Sequence, residues 1–408
     1  MNKEVLPPAI VLGLSPTGLH VARTLGRAGV EVIGVAEGNQ AGQMSRYLAG
    51  VIEQTSDTQL FNAMSDLARQ FEADNKPRAI LIPSSDQHVE FITRHANKLQ
   101  SLFRFQSSYS DGLAQSIMAK DSFYRLCEAN GIRYPRVIEA KAGELDSCKD
   151  QIDFPWMVKP AEIHKVKREM QGDKGWIIRN QNELDAAISK IPTNAETLLI
   201  QEIVPGPESN ITLCCTYADK AGAARQMFSA RKLRQYPPGF GSASLVQSNL
   251  EPESVALTEN LLSSAGYHGI AASEFKRHPE NGELFIIEIN VRPSLWFSVS
   301  EVAGRPVVLD AYRDLAGLSA LPDRPQRPAV RWRHTIKDLY SKIFYVRHRD
   351  FILPSPDINA VGAMKGSTNA VFAMDDWKPA VAEIGFMLQK AISRLTARKS
   401  LTDSSGRE

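Results

Sequence analysis

The chain begins with a continuous apolar run, AIVLGL at residues 9–14, followed by a Gly/Pro turn, a helically spaced stretch LHVARTLGRAG, and a second apolar run VEVIGVAE. That order predicts a βαβ unit. A third run, AILIPSS at 79–85, follows a helix-like segment from Gln59 to Glu72. The first ~115 residues therefore read as a small parallel α/β domain with its binding crevice beyond the C-terminal ends of the strands. From Lys120 the pattern changes to a helix (DSFYRLCEANG), strands at 155–159 and 197–203, and a strand-rich stretch through IIEINVRP at 286–293. The proline-rich segment ALPDRPQRPA then marks a boundary before a C-terminal portion of roughly 80 residues. The expected layout is an α/β domain over 1–118, an α+β catalytic lobe over 119–318 and a helical extension over 319–408.

In that extension Ile336, Leu339, Ile343 and Val346 recur at helical spacing among Arg331, Arg333, Lys337, Lys342, Arg347 and Arg349. An amphipathic basic helix is predicted, with its apolar stripe packed on the catalytic lobe and its basic face in water. An anionic membrane or an acidic glycan is the alternative partner for such a helix. A last helix carrying Val381, Ile384, Leu388, Ile392 and Leu395 is expected to dock on the body, and the polar end KSLTDSSGRE to fray.

At 408 residues, two or three packed lobes are expected in place of one core, and hence a cleft between them. Lys plus Arg number 48 against 46 Asp plus Glu, a balance without the field that a nucleic-acid partner would need. Cys127, Cys148, Cys214 and Cys215 show neither CxxC nor His-linked spacing, so reduced thiols are expected. The N-terminal apolar run is too short to span a bilayer, which favours a cytoplasmic protein without a transmembrane segment.

The candidate chemistry sits at strand ends. Gly13-Leu-Ser-Pro-Thr-Gly18 turns a strand into a helix but lacks the full dinucleotide or P-loop spacing. A tight turn and an anion site are both open there, and Glu37 could imitate a ribose ligand. Ser84, Ser85 and Asp86, at the end of ILIP, either hold a polar substrate group or cap the next helix. In LFIIEINVRP, strict alternation puts Ile286, Glu288 and Asn290 on one face and Phe285, Ile287 and Ile289 on the other. The upstream strand IAASEFKRH presents Glu274 and Lys276 together, and the PENG turn makes antiparallel pairing the expectation. Two glutamates and an asparagine converging in this way suit Mg²⁺ completed by substrate phosphates. TLLIQEIVPGPE runs strand, tight turn, acid, an edge for adenine with Glu208 toward ribose. FPWMVKP holds Lys159 at a strand end for phosphate contact. The 161–175 loop, carrying Lys165, Lys167, Arg168 and Lys174, is long enough to act as a lid.

Taken in order, MAKDSFYRLCEANGI, WMVKP, GDKG, LIQEIVPGPE, SEFK and IIEINVRP resemble the ATP-grasp superfamily across residues 119–305. The resemblance implies that Lys120, Lys159 and Lys174 contact nucleotide, Gln201, Glu202 and Val204 the adenine, and Glu208 the ribose. It makes Glu274, Glu288 and Asn290 the magnesium ligands, for one or two ions that Mn²⁺ could replace. Arg292 becomes the cation that neutralises phosphoryl or acyl-phosphate oxygens. SARKLRQYPPGFGSAS resembles the carboxylate-amine ligase branch that includes D-aspartate ligase, which gives Arg231 and Lys232 a substrate or γ-phosphate role. The lid departs from the family, with HKVKREMQ where small residues are usual. The implied function is ATP-dependent amide formation through an acyl phosphate, on a small-molecule carboxylate and amine such as an amino acid or a cell-surface precursor, in a monomer or a homo-oligomer. The alternatives are a bicarbonate-dependent carboxylase of the same superfamily and a non-catalytic nucleotide-binding module. A dehydrogenase reading rests on Gly13, Gly18 and Glu37 alone.

Overall fold

The computed structural model describes residues 6–148, 151, 154–160, 175–191, 197–359, 361–389 and 393. The first apolar runs become β1 (Ala9–Leu12), β2 (Val32–Ala36), β3 (Gly50–Glu53) and β4 (Ile80–Pro83), all parallel in the order β3-β2-β1-β4. β1 is apolar throughout because both of its faces are covered. Ala9 and Val11 enter one core while Ile10 and Leu12 enter another. The chain leaves β1 toward β2 on one side and has β4 on the other, so the loops after β1 and β4 are neighbours at the switch point where α/β sheets open their crevice. β3 was not anticipated. Its residues alternate between half-buried and exposed, too weak a pattern to announce a strand.

A second sheet, β5 (Val137–Ala140), β6 (Trp156–Pro160), β7 (Trp176–Ile178) and β8 (Leu198–Glu202), is antiparallel in the order β5-β8-β6-β7. It has its own small core around Trp156, Val158, Leu184 and Ile200. The third sheet holds β9 (Ile211–Ala218), β10 (Ala224–Tyr236), β11 (Ser242–Ser248), β12 (Gly269–Arg277), β13 (Leu284–Asn290), β14 (Val330–Arg333) and β15 (Gly366–Asn369), in the order β13-β12-β9-β10-β11-β14-β15. Two large cores join this sheet to the N-terminal domain, one through Tyr217, Trp296 and Trp332, the other through Phe275 and Ile286. The N-terminal domain and large sheet are thus packed as one body, with the small sheet separately cored beside it.

Two expectations need correcting. The C-terminal portion is not wholly helical, because β14 and β15 extend the large sheet, β14 pairing antiparallel with β11. The amphipathic helix also exists, at Thr335–Arg347, but its faces are reversed. Its buried positions are Asp338, Ser341 and Tyr345, while Leu339, Tyr340, Ile343 and Val346 are exposed. An ion pair decides the orientation: Arg234 Nε and Nη2 on β10 donate to Asp338 Oδ1 and Oδ2 at 2.7 and 3.1 Å. With about 100° of turn per residue, fixing Asp338 inward turns the apolar stripe outward. The expected docking helix follows suit over 378–389, where Val381, Ile384 and Leu388 are exposed. Ile392 and Leu395 lie outside the described residues.

Candidate active site

A cleft of about 590 Å³ opens where the three sheets meet. The N-terminal domain lends the loops Ser15–Thr17 and Ser84–Gln87, the small sheet Met157 and Gln201–Val204, and the large sheet its polar strand ends. Gly13 adopts φ +88, and a Cβ on Gly18 would stand 1.8 Å from the Gly13 carbonyl oxygen, so both glycines serve a tightly closed turn. Glu37 is exposed and stands outside the cleft wall.

The acidic wall forms as the pattern predicted, with one change. β12 and β13 pair antiparallel with Glu274 opposite Glu288, and Lys276 shares the face. A register shift between Glu274 and Phe275 makes Ile287 an extra residue, so Ile286 pairs with Phe275 and enters the core. Ile287, not Ile286, lines the cleft beside Glu288 and Asn290. Asn290 Nδ2 donates to Glu288 Oε1 at 3.0 Å, a bond that does not use the amide oxygen. Lys232 Nζ donates to Glu274 Oε2 at 2.5 Å and to Gln235 Oε1 at 3.3 Å. Burial, with Lys232 nearby, pulls the Lys276 ammonium down to about 8. The buried Gln235 Nε2 has no hydrogen-bond partner among the described residues, a donor left open at the cleft wall.

Among the described residues no cluster of three or more His, Cys, Asp or Glu side chains stands ready to hold a metal. The donors present are two carboxylates and an amide oxygen. That set fits an ion which takes one or two carboxylates and completes its shell from water and substrate phosphate.

On the small sheet, Gln201, Glu202 and Val204 reach the cleft as an edge. Lys159 Nζ donates to Gln201 Oε1 at 2.8 Å, and Lys120 lies against Lys159, at the start of the helix Lys120–Ala129. Burial and then the neighbouring Lys159 pull Lys120 down to about 7, the state of two ammonium groups crowded where an anion would be welcome. Lys174, with Lys165, Lys167 and Arg168, lies outside the described residues.

Arg292 bridges the two halves of the packed body, its Nε and Nη2 donating to Asp86 Oδ1 and Oδ2 at 2.7 and 3.0 Å. Asp86 is therefore engaged with a cation that also lines the cleft. Ser85 caps the helix Asp86–Arg94, its hydroxyl accepting from the His88 amide at 3.3 Å, and Ser84 Oγ donates to the Gly13 carbonyl at 3.0 Å. The capping alternative thus describes Ser85, although Ser84, Ser85 and Asp86 all face the cleft.

Two expected residues are placed elsewhere. Arg231 and Lys232 are consecutive on β10 and point to opposite faces; Arg231 donates from Nε and Nη2 to Glu251 Oε1 at 3.0 and 2.5 Å, away from the cleft. Glu208 is fully buried, its oxygens taken by the amides of Gly239 and Gln235 at 2.6 and 3.0 Å. It is a strut under the loop between β10 and β11, and no part of the cleft wall. Gln235 and Trp296, which no sequence pattern singled out, line the cleft, and so does Lys337, expected on the helix's basic face in water. Gln235 sits inside the quoted motif three residues after Lys232, past a bulge that period-two counting does not foresee.

No family model matches the chain. A D-aspartate ligase of Enterococcus faecium (strain Aus0004) is 25% identical over 248 residues, which cover 58% of this chain and 58% of that ligase. The match therefore spans less than two thirds of the relative. Among solved structures, the ADP complex of purK, an N5-carboxyaminoimidazole ribonucleotide synthetase, superposes with a TM-score of 0.61 at 14% identity over 80% of this chain and 82% of that one. An L-amino acid ligase from Bacillus licheniformis superposes with a TM-score of 0.57 at 14% identity over 81% and 80% of the two chains. The order of the sheets and these likenesses to solved structures identify the architecture as the ATP-grasp fold.

Proposed function

We propose that the protein is an ATP-dependent carboxylate-amine ligase, working through an acyl phosphate. The observation that carries this reading is the convergence in one cleft of Glu274, Glu288 and Asn290 with Lys232, Lys276 and Arg292. Adenine would lie along Gln201–Val204, with the triphosphate running past Lys159 and Lys120 toward the acidic wall. Glu274, Glu288 and Asn290 would hold Mg²⁺, which supplies charge neutralisation on the transferring phosphoryl group when bound.

The substrate carboxylate attacks the γ-phosphorus; one P–O bond forms, the β–γ bridging P–O bond breaks, and ADP leaves. An amine then attacks the acyl carbon, phosphate departs, and the nitrogen loses its proton. The chain's part is positioning and electrostatics. Lys232 and Lys276 face the oxygens that gain charge, and Gln235 Nε2 offers them a donor. Arg292, held in plane by Asp86, is shaped to receive a second carboxylate or an acyl-phosphate oxygen. No side-chain nucleophile is needed. The likeness to D-aspartate ligase favours an amine as acceptor. The second reading, in which bicarbonate takes the place of the carboxylate, draws on a fold neighbour solved with ADP and bicarbonate, the biotin carboxylase domain of a Hydrogenobacter thermophilus 2-oxoglutarate carboxylase.

The test is magnesium-dependent ADP release measured over a matrix of amino acids and amines, with bicarbonate as a separate arm. Release that requires one carboxylate and one amine supports the ligase. Release stimulated by bicarbonate without an amine supports the carboxylase and removes the ligase reading.

A further inference from the structure

The helix Thr335–Arg347 and the helix over 378–389 both turn their apolar stripes to solvent, the reverse of what a surface helix does when it packs on a body. Val346 is 68% exposed, Leu388 60%, Val381 57% and Leu339 55%. The two helices are neighbours, since His334 Nε2 lies 3.5 Å from Glu383 Oε1. The first helix is held to the body by the buried Arg234–Asp338 pair, with Ile336 half-buried, while Leu339 and Val346 stay exposed. Tyr340 and Trp377, each about half exposed, add rings suited to a boundary between oil and water.

The charge around the stripe says what covers it. Between Leu339 and Asp350 the exposed charged residues are Lys342, Arg347, Arg349 and Asp350, three cations to one acid, while the second helix adds the exposed Lys378 and the half-buried Glu383, so the cationic excess lies on the first helix. Lys342 also reaches the buried Asp338 at 3.8 Å. A twofold dimer through this face would bring two such cationic rims together, because an isologous interface presents the same patch from both copies. An apolar stripe flanked by cations instead matches the layered chemistry of an anionic bilayer surface, hydrocarbon below and phosphate above. No helix among the described residues is long and apolar enough to cross a membrane, so the contact is interfacial.

We propose that the outward faces of the helices Thr335–Arg347 and 378–389 form an interfacial docking surface for an anionic lipid bilayer. The inner side of the first helix lies next to the cleft: Lys337 lines it, and Tyr345 sits beside Glu208, which holds the amide of Gly239 on the cleft loop. A lipid-bound helix is thus in contact with the loop that closes one side of the cleft.

The experiment is flotation of the full chain with vesicles of phosphatidylcholine alone or of phosphatidylcholine with phosphatidylglycerol, with the oligomeric state measured in parallel by sedimentation. We expect flotation with the anionic vesicles only, reduced at high salt. Arg347→Glu/Arg349→Glu and Ile343→Glu/Val346→Glu should each weaken binding at least about tenfold, from the loss of basic attraction or of buried methylenes. Neither pair touches the cleft, so ADP release should be unchanged in both. Equal flotation with neutral vesicles overturns the anionic choice. Absence of flotation overturns the proposal outright, and a dimer dissolved by Ile343→Glu/Val346→Glu then assigns the face to a second copy.

Discussion

The β12–β13 pair and the helix Thr335–Arg347 are both amphipathic and both border the cleft, yet they orient themselves oppositely. In the pair, Phe275 and Ile286 go to the core and Glu274, Glu288 and Asn290 face the cleft. In the helix, Asp338 and Ser341 go inside and Leu339, Ile343 and Val346 face water. Burial of apolar area sets the first arrangement, at roughly 25 cal/mol per Å². The second is set by a buried charge pair whose separation would leave an ion stranded, which outweighs the burial of a few aliphatic side chains. An amphipathic pattern therefore fixes which residues share a face, and a single buried ion pair can decide which face is in.

The largest effect that would break this comparison is the loss of Asp338. Asp338→Ala leaves the Arg234 guanidinium buried without its partner and should lower unfolding stability by ~3–5 kcal/mol, read by urea denaturation. A loss below ~1 kcal/mol would remove the ion pair as the cause of the reversal. In the pair, Glu288→Gln keeps the shape and removes a charge. ADP release should drop on the order of 100- to 1,000-fold while the urea midpoint holds.

Smaller is a pH effect at the Lys120–Lys159 pair, which stands outside the cleft wall. Lys120, with its ammonium pulled down to about 7, is largely neutral in the free protein above that value. Nucleotide binding favours the protonated form, so affinity should decline as pH rises from about 7, by at most about tenfold per unit, when followed by calorimetry. Lys120→Met should bind more weakly and lose that slope; an unchanged slope would assign the proton to another group. Smallest is Leu388→Glu on the outward stripe, where stability should change by no more than about 0.5 kcal/mol. A loss of several kcal/mol in thermal unfolding would mean that this stripe is packed after all.

The elements that the sequence made legible are those whose pattern a single physical rule controls. β1, β2 and β4 were readable because strands covered on both faces are unbroken apolar runs. The β12–β13 pair was readable from alternation and a PENG turn. β3 and β15 were not, since GVIE is half-exposed and GSTN is polar, and each is a strand only because a neighbour offers it an edge. Within the site, alternation failed at Ile286 because one extra residue shifts the register. It should have separated Arg231 from Lys232, which cannot share a face as consecutive strand residues. The carboxylate of Glu208 stood at the expected motif position, but its partners are amides 27 and 31 positions away that no local pattern connects.

We propose that a substrate carboxylate is activated by phosphoryl transfer in the cleft walled by Glu274, Glu288 and Asn290. The most direct test of this step uses a carboxylate with isotopically labelled oxygen, together with ATP, magnesium and an amine identified by the ADP-release matrix. Transfer of one labelled oxygen into the released inorganic phosphate, abolished in Glu288→Gln, is the result this account predicts. Phosphate that carries no label while the amide accumulates would contradict it, because the carboxylate oxygen would never have been bonded to phosphorus.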